Sequence, residues 1–199
     1  MNDELDEIKN ALEGLKWKFM AVADYEKAVA GGVFSKNNPD DPLAPKNRGK
    51  RMGAADILRD YKKELPQEIL DVLHVHIFDC AGPVRLSIAQ ALLYSGNQTS
   101  IPVLERLLDD KVASVKIMAG IVLDVLKNKE HFFRNGETIY LGEVKNGIAD
   151  GKGRLYYFLL PNLIYEGEFR DNKFHGHGTY YENNKIKYKG EFRDGTFAG

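Results

Sequence analysis

The stretch YEGEFRDNKFHGHGTYYE, residues 165–182, decides the fold of the C-terminal part of this chain. From Tyr165 to Phe169, aromatic residues and glycine alternate with charged residues, which is the period of a β-strand with one aromatic and one charged face. The turn formers Asp171 and Asn172 follow, and a second strand-like run then returns. The stretch therefore predicts a β-hairpin.

The same elements recur on both sides of this hairpin. The motif Tyr-x-Gly-Glu begins at Tyr140, Tyr165 and Tyr188, and a Gly-x-Gly follows the first two copies at residues 151–153 and 176–178. Glycines between aromatic residues leave room for rings to lie across the backbone, so tyrosine and phenylalanine can form a thin core. One hairpin alone is unstable, but three in register predict a twisted antiparallel sheet.

This pattern resembles the MORN repeat over residues 138–199. The resemblance implies protein–protein contacts, dimerisation or attachment near membranes, with phospholipid binding in some members. Two departures stand out. Extra residues at 160–162 predict a longer hairpin tip in the first unit, and the third unit reaches Gly199 without a return strand, which predicts an open sheet edge.

Residues 54–129 predict a series of helices separated by proline, glycine and asparagine. We expect them at residues 54–64, 66–79, 83–95, 99–110 and 113–127. The connections are short, so neighbouring helices should run antiparallel. The helix that begins with Pro83, Val84 and Arg85 recurs 31 residues later as Ser114, Val115 and Lys116. The helical half is therefore an internal tandem.

This tandem resembles a pair of short HEAT-like repeats over about residues 66–129, with Asp109 and Asp110 in the turn before the second copy. Helical repeats of this kind usually present a surface to a partner. HEAT-like repeats also occur in chromophore lyases, but the resemblance carries no catalytic residue over to this chain.

A heptad stripe predicts a helix over residues 1–30. Its apolar positions are Leu5, Ile8, Leu12, Leu15, Phe19 and Val22. The stripe is covered either by the rest of this chain or by a second chain. Residues 31–53, rich in proline and turn formers, predict a loop or linker that ends in a basic cluster.

Composition narrows the function. The 28 Lys and Arg residues balance 29 Asp and Glu residues, so no global field attracts nucleic acid, and one cysteine excludes an intrachain disulfide framework or a multi-thiolate zinc site. We expect a cytoplasmic protein, because no apolar run is long enough to cross a membrane and the acidic start is unlike a signal peptide.

The candidate chemical groups favour structural roles, and no cofactor or metal is expected. His74 and His76 point roughly 200° apart on a helix, so they cannot share one ion. His175 and His177 flank a glycine of the second Gly-x-Gly, where a structural role is favoured. Cys80 is expected to be a small buried residue, because no histidine is placed to activate it.

The sequence therefore predicts an α+β chain whose two classes of element are segregated along its length. The predicted parts are an amphipathic helix at 1–30, a loop at 31–53, HEAT-like repeats at 54–130 and MORN repeats at 131–199. The predicted function is a noncatalytic adaptor that binds a protein partner, with exposed rings as contacts. The candidate rings are Tyr156, Tyr157, Tyr180 and Tyr181.

Three alternatives stay open. The first is attachment to an anionic membrane through basic side chains, namely Lys46, Arg48, Lys50, Arg51, Lys185, Lys187 and Lys189. The second is a lyase-like enzyme, which would need a convergent polar pocket. The third, compatible with the adaptor function, is a homodimer formed through the heptad helix or the open final hairpin.

Overall fold

A computed structural model of the chain describes residues 2–33, 38, 40–61 and 63–199. Among these residues seven α-helices precede seven β-strands, which confirms the predicted segregation. The helices are α1 (Asn2–Lys16), α2 (Val22–Ala30), α3 (Pro45–Asp60), α4 (Gln67–His76), α5 (Gly82–Ser95), α6 (Ile101–Leu107) and α7 (Ala113–Asn128). The chain packs as two compact units that divide between Val122 and Leu123.

The heptad stripe does not form one continuous helix, so that prediction is wrong. Helix α1 ends at Lys16, and Lys18 then adopts a left-handed backbone conformation with φ of 44°. The chain extends because the Met20 carbonyl accepts a hydrogen bond from the Cys80 N–H, at 2.8 Å. This pairing with the α4–α5 turn competes with helix formation, and α2 begins only afterwards.

The stripe is covered within the chain at two of its positions, Ile8 and Leu15. Ile8 and Leu15 are buried, and α1 packs on α3. Gly14 allows the close approach, since a Cβ there would lie 2.8 Å from the Cβ of Ala54. These contacts favour the first of the two predicted coverings, and a coiled coil with a second chain is not needed to bury this part of the stripe.

The predicted linker is also partly wrong, because α3 begins at Pro45 inside it. Proline suits the first turn of a helix, where its missing N–H would have no intrahelical partner. Asn37 and Pro39, two residues on which the loop prediction rests, lie outside the described residues. The basic cluster therefore lies on a helix, and successive members point in different directions.

Arg51 on α3 is the buried hub of the helical unit. Its guanidinium forms two hydrogen bonds to the Asp79 carboxylate, at 2.6 and 3.1 Å, and both side chains are fully buried. The same guanidinium donates to the backbone carbonyls of Trp17, Lys18, Pro42 and Asn47. It thereby ties the α1–α2 turn and the start of α3 to the α4–α5 turn.

A second arginine–aspartate pair repeats this arrangement. Arg85 on α5 forms two hydrogen bonds to Asp110, at 2.7 and 2.8 Å. Asp110 accepts a hydrogen bond from the N–H of Val112, just as Asp79 accepts one from the N–H of Ala81, both at 2.8 Å. The two inter-helix turns are thus built alike, which is consistent with helical repeats.

The strands form a single antiparallel meander in which each strand pairs with the next. They are β1 (His131–Asn135), β2 (Thr138–Lys145), β3 (Ile148–Tyr157), β4 (Leu163–Arg170), β5 (Lys173–Glu182), β6 (Lys185–Arg193) and β7 (Thr196–Phe197). The longer tip of the first unit is confirmed, since β3 and β4 are joined by residues 158–162. The expected lack of a return strand is wrong, because β7 pairs with β6 through Phe192 and Phe197.

We predict that Arg51→Met lowers the free energy of unfolding by about 3–5 kcal/mol, because it leaves the Asp79 carboxylate buried without its partner. The measurement is urea unfolding followed by the fluorescence of Trp17, whose carbonyl contacts Arg51. Arg48→Met, an exposed change on the same helix, should alter the free energy by no more than about 0.5 kcal/mol. Equal effects of the two substitutions would refute the role assigned to Arg51.

Candidate binding site on the aromatic face of the sheet

One face of the sheet carries a row of large side chains that crosses six strands. Direct cross-strand pairing joins Phe133, Tyr140, Leu155, Tyr165, Tyr180 and Tyr188 in that order. A row of glycines runs beside it and joins Gly142, Gly153, Gly167, Gly178 and Gly190. The Tyr-x-Gly spacing puts both rows on the same face, because residues two apart in a strand point the same way.

The first two repeated tyrosines, Tyr140 and Tyr165, each lie over a glycine of the next strand. A Cβ on Gly178 would come within 2.1–2.6 Å of the Tyr165 ring, and one on Gly153 would come within 2.4–2.6 Å of the Tyr140 ring. The Tyr165 hydroxyl can therefore cross the strand and donate to the backbone carbonyl of Glu168, at 3.0 Å. Burial raises the pKa of the Tyr140 and Tyr165 hydroxyls to about 12, so both remain protonated donors at neutral pH.

The glutamate of the motif completes the unit. Glu143 accepts a hydrogen bond from the N–H of Lys152, and Glu168 accepts one from the N–H of His177, both at 3.2 Å. Each carboxylate lies over the first glycine of the Gly-x-Gly. A side chain on Gly176 would collide with the Glu168 carboxylate, and the positive φ of this glycine, 53°, also disfavours one.

The tyrosines and phenylalanines form a core that the sheet supplies from its own residues. The buried members are Tyr140, Ala149, Tyr165, Phe169 and Phe192. Tyr165 stacks on Phe174 at 4.0 Å between ring centroids and meets Phe169 edge-on at 5.1 Å. Such ring pairs contribute about 0.5–1.5 kcal/mol each beyond the burial of their area.

A groove of about 540 Å³ opens on this face, and we call it the aromatic groove. Its apolar lining is Phe133, Tyr140, Ala149, Leu155, Phe169 and Phe174. Among its described lining residues, Arg134 and Lys173 carry charge and none is an acid. The groove offers rings and therefore can bind apolar side chains, and its described lining presents no acid–base pair for catalysis.

The structure separates the four predicted contact tyrosines. Tyr156 is buried and pairs with Ile139 on the face opposite the groove, so its prediction as an exposed contact is wrong. Its neighbour Tyr157 is 49% exposed and pairs with Thr138, a groove residue. Tyr180 packs beside Phe174, and Tyr181 is half-buried. Only Tyr157 and Tyr180 are thus placed next to the aromatic groove.

The predicted cations are also dispersed. Arg51 is fully buried in its ion pair with Asp79, so its assignment to a lipid surface is wrong. Lys46 and Arg48 are exposed on α3, whereas the Lys50 ammonium lies over the Trp17 ring at 3.8 Å. The three lysines of β6 (Lys185, Lys187 and Lys189) are exposed, and Lys187 forms an ion pair with Glu182 at 2.8 Å.

Sequence analysis missed Phe133 and Phe174 as groove residues. Phe174 sits two positions before Gly176, where Ala149 and Phe197 occupy the matching positions of the other units, so its place in the repeat was a usable signal. Phe133 lies on β1, and the glycine at 136 that follows it is a hairpin signal. Its contribution to the groove depends on the pairing of β1 with β2.

The other candidate reactive groups, Cys80 and His76, are packed in the helical unit and have structural roles. Burial raises the pKa of the Cys80 thiol to about 12, which disfavours the nucleophilic thiolate. The His76 ring packs against the Phe19 ring at a tilt of 43°, with 4.4 Å between centroids, and hydrogen-bonds to the Val72 carbonyl; burial lowers its pKa. Within the described residues, His, Cys, Asp and Glu side chains form no cluster of three that could hold a metal.

Comparison with known families identifies the central part of the sheet. The MORN repeat family matches residues 140–158 and 165–185, so this part of the chain consists of MORN repeats. MORN repeats are commonly involved in protein or membrane binding, and the family is generally noncatalytic. No curated protein and no solved structure matches the chain. None of the helices in its described part is long and apolar enough to cross a membrane.

We predict that Gly178→Ala lowers the free energy of unfolding of the sheet by about 1–3 kcal/mol, since the new methyl group overlaps the Tyr165 ring. Gly49→Ala is the matched control. A methyl group on Gly49 meets nothing within 4 Å, and the change should stabilise α3 by up to about 1 kcal/mol. Urea unfolding followed by tyrosine fluorescence measures both, and an unaffected Gly178→Ala sheet would contradict the ring-on-glycine packing.

Proposed function

We propose that this chain is a noncatalytic adaptor that binds a protein partner in the aromatic groove. In this proposal residues 131–199 act as the MORN binding module. Residues 54–130 form a HEAT-like tandem that offers a second surface, after the helix at 1–30 and the segment at 31–53, and the chain works in the cytoplasm. The observation that carries the proposal is a concave, ring-lined surface in a sheet whose core is already complete.

The groove can bind a partner because part of its apolar surface is exposed to water. Half-buried rings and aliphatic side chains, among them Phe133, Leu155 and Phe174, line it. Their partial exposure leaves area that a partner can remove from water at about 25 cal/mol per Å². Aromatic side chains are also enriched among the residues that dominate protein interfaces. A protein segment with apolar side chains therefore fits this surface better than a polar metabolite does.

We predict that Phe133→Ala weakens partner binding by about 30-fold, the equivalent of about 2 kcal/mol for a central interface residue. The partner is first identified by placing a photo-crosslinking residue at Lys173 on the groove rim of the full chain in its native cells. The purified partner's Kd is then measured. Phe132→Ala is the matched control, because Phe132 is half-buried on the same strand but pairs with Leu141.

Retained binding by Phe132→Ala together with lost binding by Phe133→Ala is the expected result. Equal loss in both variants would mean that β1 stability, not the groove, is measured. Unchanged binding in both would remove the groove as the binding surface. Far-UV circular dichroism and unfolding curves for the two variants accompany the binding data.

A second candidate function is attachment to an anionic membrane. Exposed lysines on one strand, Lys185, Lys187 and Lys189, favour it, because they concentrate positive charge on β6. Each cation near an anionic surface adds about 1 kcal/mol. Lys46 and Arg48 on α3 are exposed as well.

For this candidate we predict sedimentation with phosphatidylserine-containing vesicles at about 50 mM salt and release at about 500 mM, where screening is strong. The double variant Lys185→Glu and Lys189→Glu should bind at least about 30-fold more weakly. The exposed change Lys9→Glu on α1 is the control. Absence of salt-sensitive sedimentation would eliminate the membrane function and leave the adaptor function standing.

A further inference from the structure

The long tip between β3 and β4 is an apolar projection of the sheet. It belongs to the run LYYFLLPNLIY, residues 155–165, which contains no charged residue. Leu159 and Leu160 in this tip are 48% and 65% exposed, and Leu160 is the most exposed large apolar side chain of residues 123–199. Adjacent leucines in water are unfavourable, and exposed apolar side chains that lie together mark interaction sites. The tip is therefore a candidate contact surface.

The tip is held in position by its own contacts. The Tyr157 N–H donates a hydrogen bond to the Asn162 carbonyl at 3.0 Å, which closes the loop. Phe158 is fully buried, and the Arg134 guanidinium lies over its ring at 4.1 Å. The Phe158 N–H also donates to the Glu137 carbonyl at 2.7 Å. Because this ring is anchored, the two leucines that follow it project from a fixed support, and little conformational entropy is lost when they bind.

Cations lie at the same end of the sheet as the tip. In this antiparallel meander the β1–β2, β3–β4 and β5–β6 turns share one end. The β5–β6 hairpin, two strand spacings or roughly 10 Å from the tip, carries Lys185 and Lys187. The acids here are Glu137 and Glu182, and Glu182 forms an ion pair with Lys187 at 2.8 Å. With Arg134 there are three cations and two acids, so this end has a small positive charge.

Shape and charge together favour a lipid surface as the occupant. A convex apolar tip can be buried in the fluid boundary between headgroups and acyl chains, where no preformed pocket is needed. Pro161 has no N–H, so the tip carries one backbone donor fewer into a medium that cannot satisfy it. Tyr157, 49% exposed, adds an amphipathic ring of the kind that lies at headgroup level. We propose that the β3–β4 tip anchors this chain to an anionic membrane by inserting Leu159 and Leu160 at this boundary.

The anchor goes beyond the adaptor function and does not depend on it. The two leucines are absent from the described lining of the aromatic groove. The anchor instead adds an apolar contribution to the lysines of the second candidate function. Stable attachment of a peripheral protein takes two signals, commonly one apolar and one electrostatic, because each alone is weak. The tip and the lysines of β6 are such a pair.

The test measures binding of the full chain to phosphatidylcholine vesicles that contain about 30% phosphatidylserine. The double variant Leu159→Gln with Leu160→Gln removes the apolar surface without changing the charge. Leu108→Gln is the matched control, since Leu108 is a leucine of the helical unit that is 44% exposed. In a separate variant, Leu160→Trp, fluorescence quenching by lipid brominated in the upper acyl chain reports insertion. Trp17, the only tryptophan of the wild type, supplies the reference signal.

We expect the double variant to bind these vesicles about 30-fold more weakly than the wild type, because its tip has no leucine surface to remove from water. Leu108→Gln should bind as the wild type does. Brominated lipid should quench the additional fluorescence of Leu160→Trp. Circular dichroism and unfolding curves of the double variant should match those of the wild type, because both leucines are exposed.

Vesicle binding that the double substitution leaves unchanged would overturn the anchor and leave attachment to the lysines alone. A wild type that binds no vesicles would also overturn it, and loss of the protein partner in the double variant would then assign the tip to a protein interface. Phe133→Ala should leave vesicle binding unchanged, and a loss equal to that of the double variant would put the lipid in the aromatic groove instead. The adaptor function is judged separately, by the Kd of the protein partner.

Discussion

The packing of a tyrosine ring on a glycine of the next strand is the contact on which the sheet unit depends. Because Gly178 has no side chain, the Tyr165 ring crosses it and reaches the backbone carbonyl of Glu168. The same contact between Tyr140 and Gly153 holds the preceding unit. The ring covers backbone that would otherwise be exposed, so a single sheet acquires a core from its own residues.

This contact also explains why the sheet has a surface suited to binding. Rings such as Tyr140 and Phe169 are buried in the core, whereas Phe133 and Phe174 at its margin are only half-buried. The margin becomes a groove lined by rings. The binding chemistry is thus a consequence of how the repeat folds.

The helical unit rests on a different kind of interaction. A fully buried Arg51 holds three chain segments to Asp79. A buried ion pair offers little net stability over apolar packing, but the removal of one partner is strongly destabilising. Its geometry therefore specifies how the turns meet more than it adds to the free energy of folding. The second pair, Arg85 with Asp110, joins α5 to the α6–α7 turn in the same way.

Local patterns in the amino-acid sequence were sufficient for the hairpins, the order of helices and strands, and the MORN repeats. Period-two alternation, Gly-x-Gly and turn residues act over a few neighbours, so they can be interpreted without a fold. Long-range contacts decided the rest. Pairing with the α4–α5 turn interrupts the predicted N-terminal helix. The ion pair with Asp79 buries Arg51, so it is not exposed with the other basic residues of its cluster. Strand register put Tyr156 opposite the groove and Phe133 in it, because register depends on a partner strand and not on the strand's own residues.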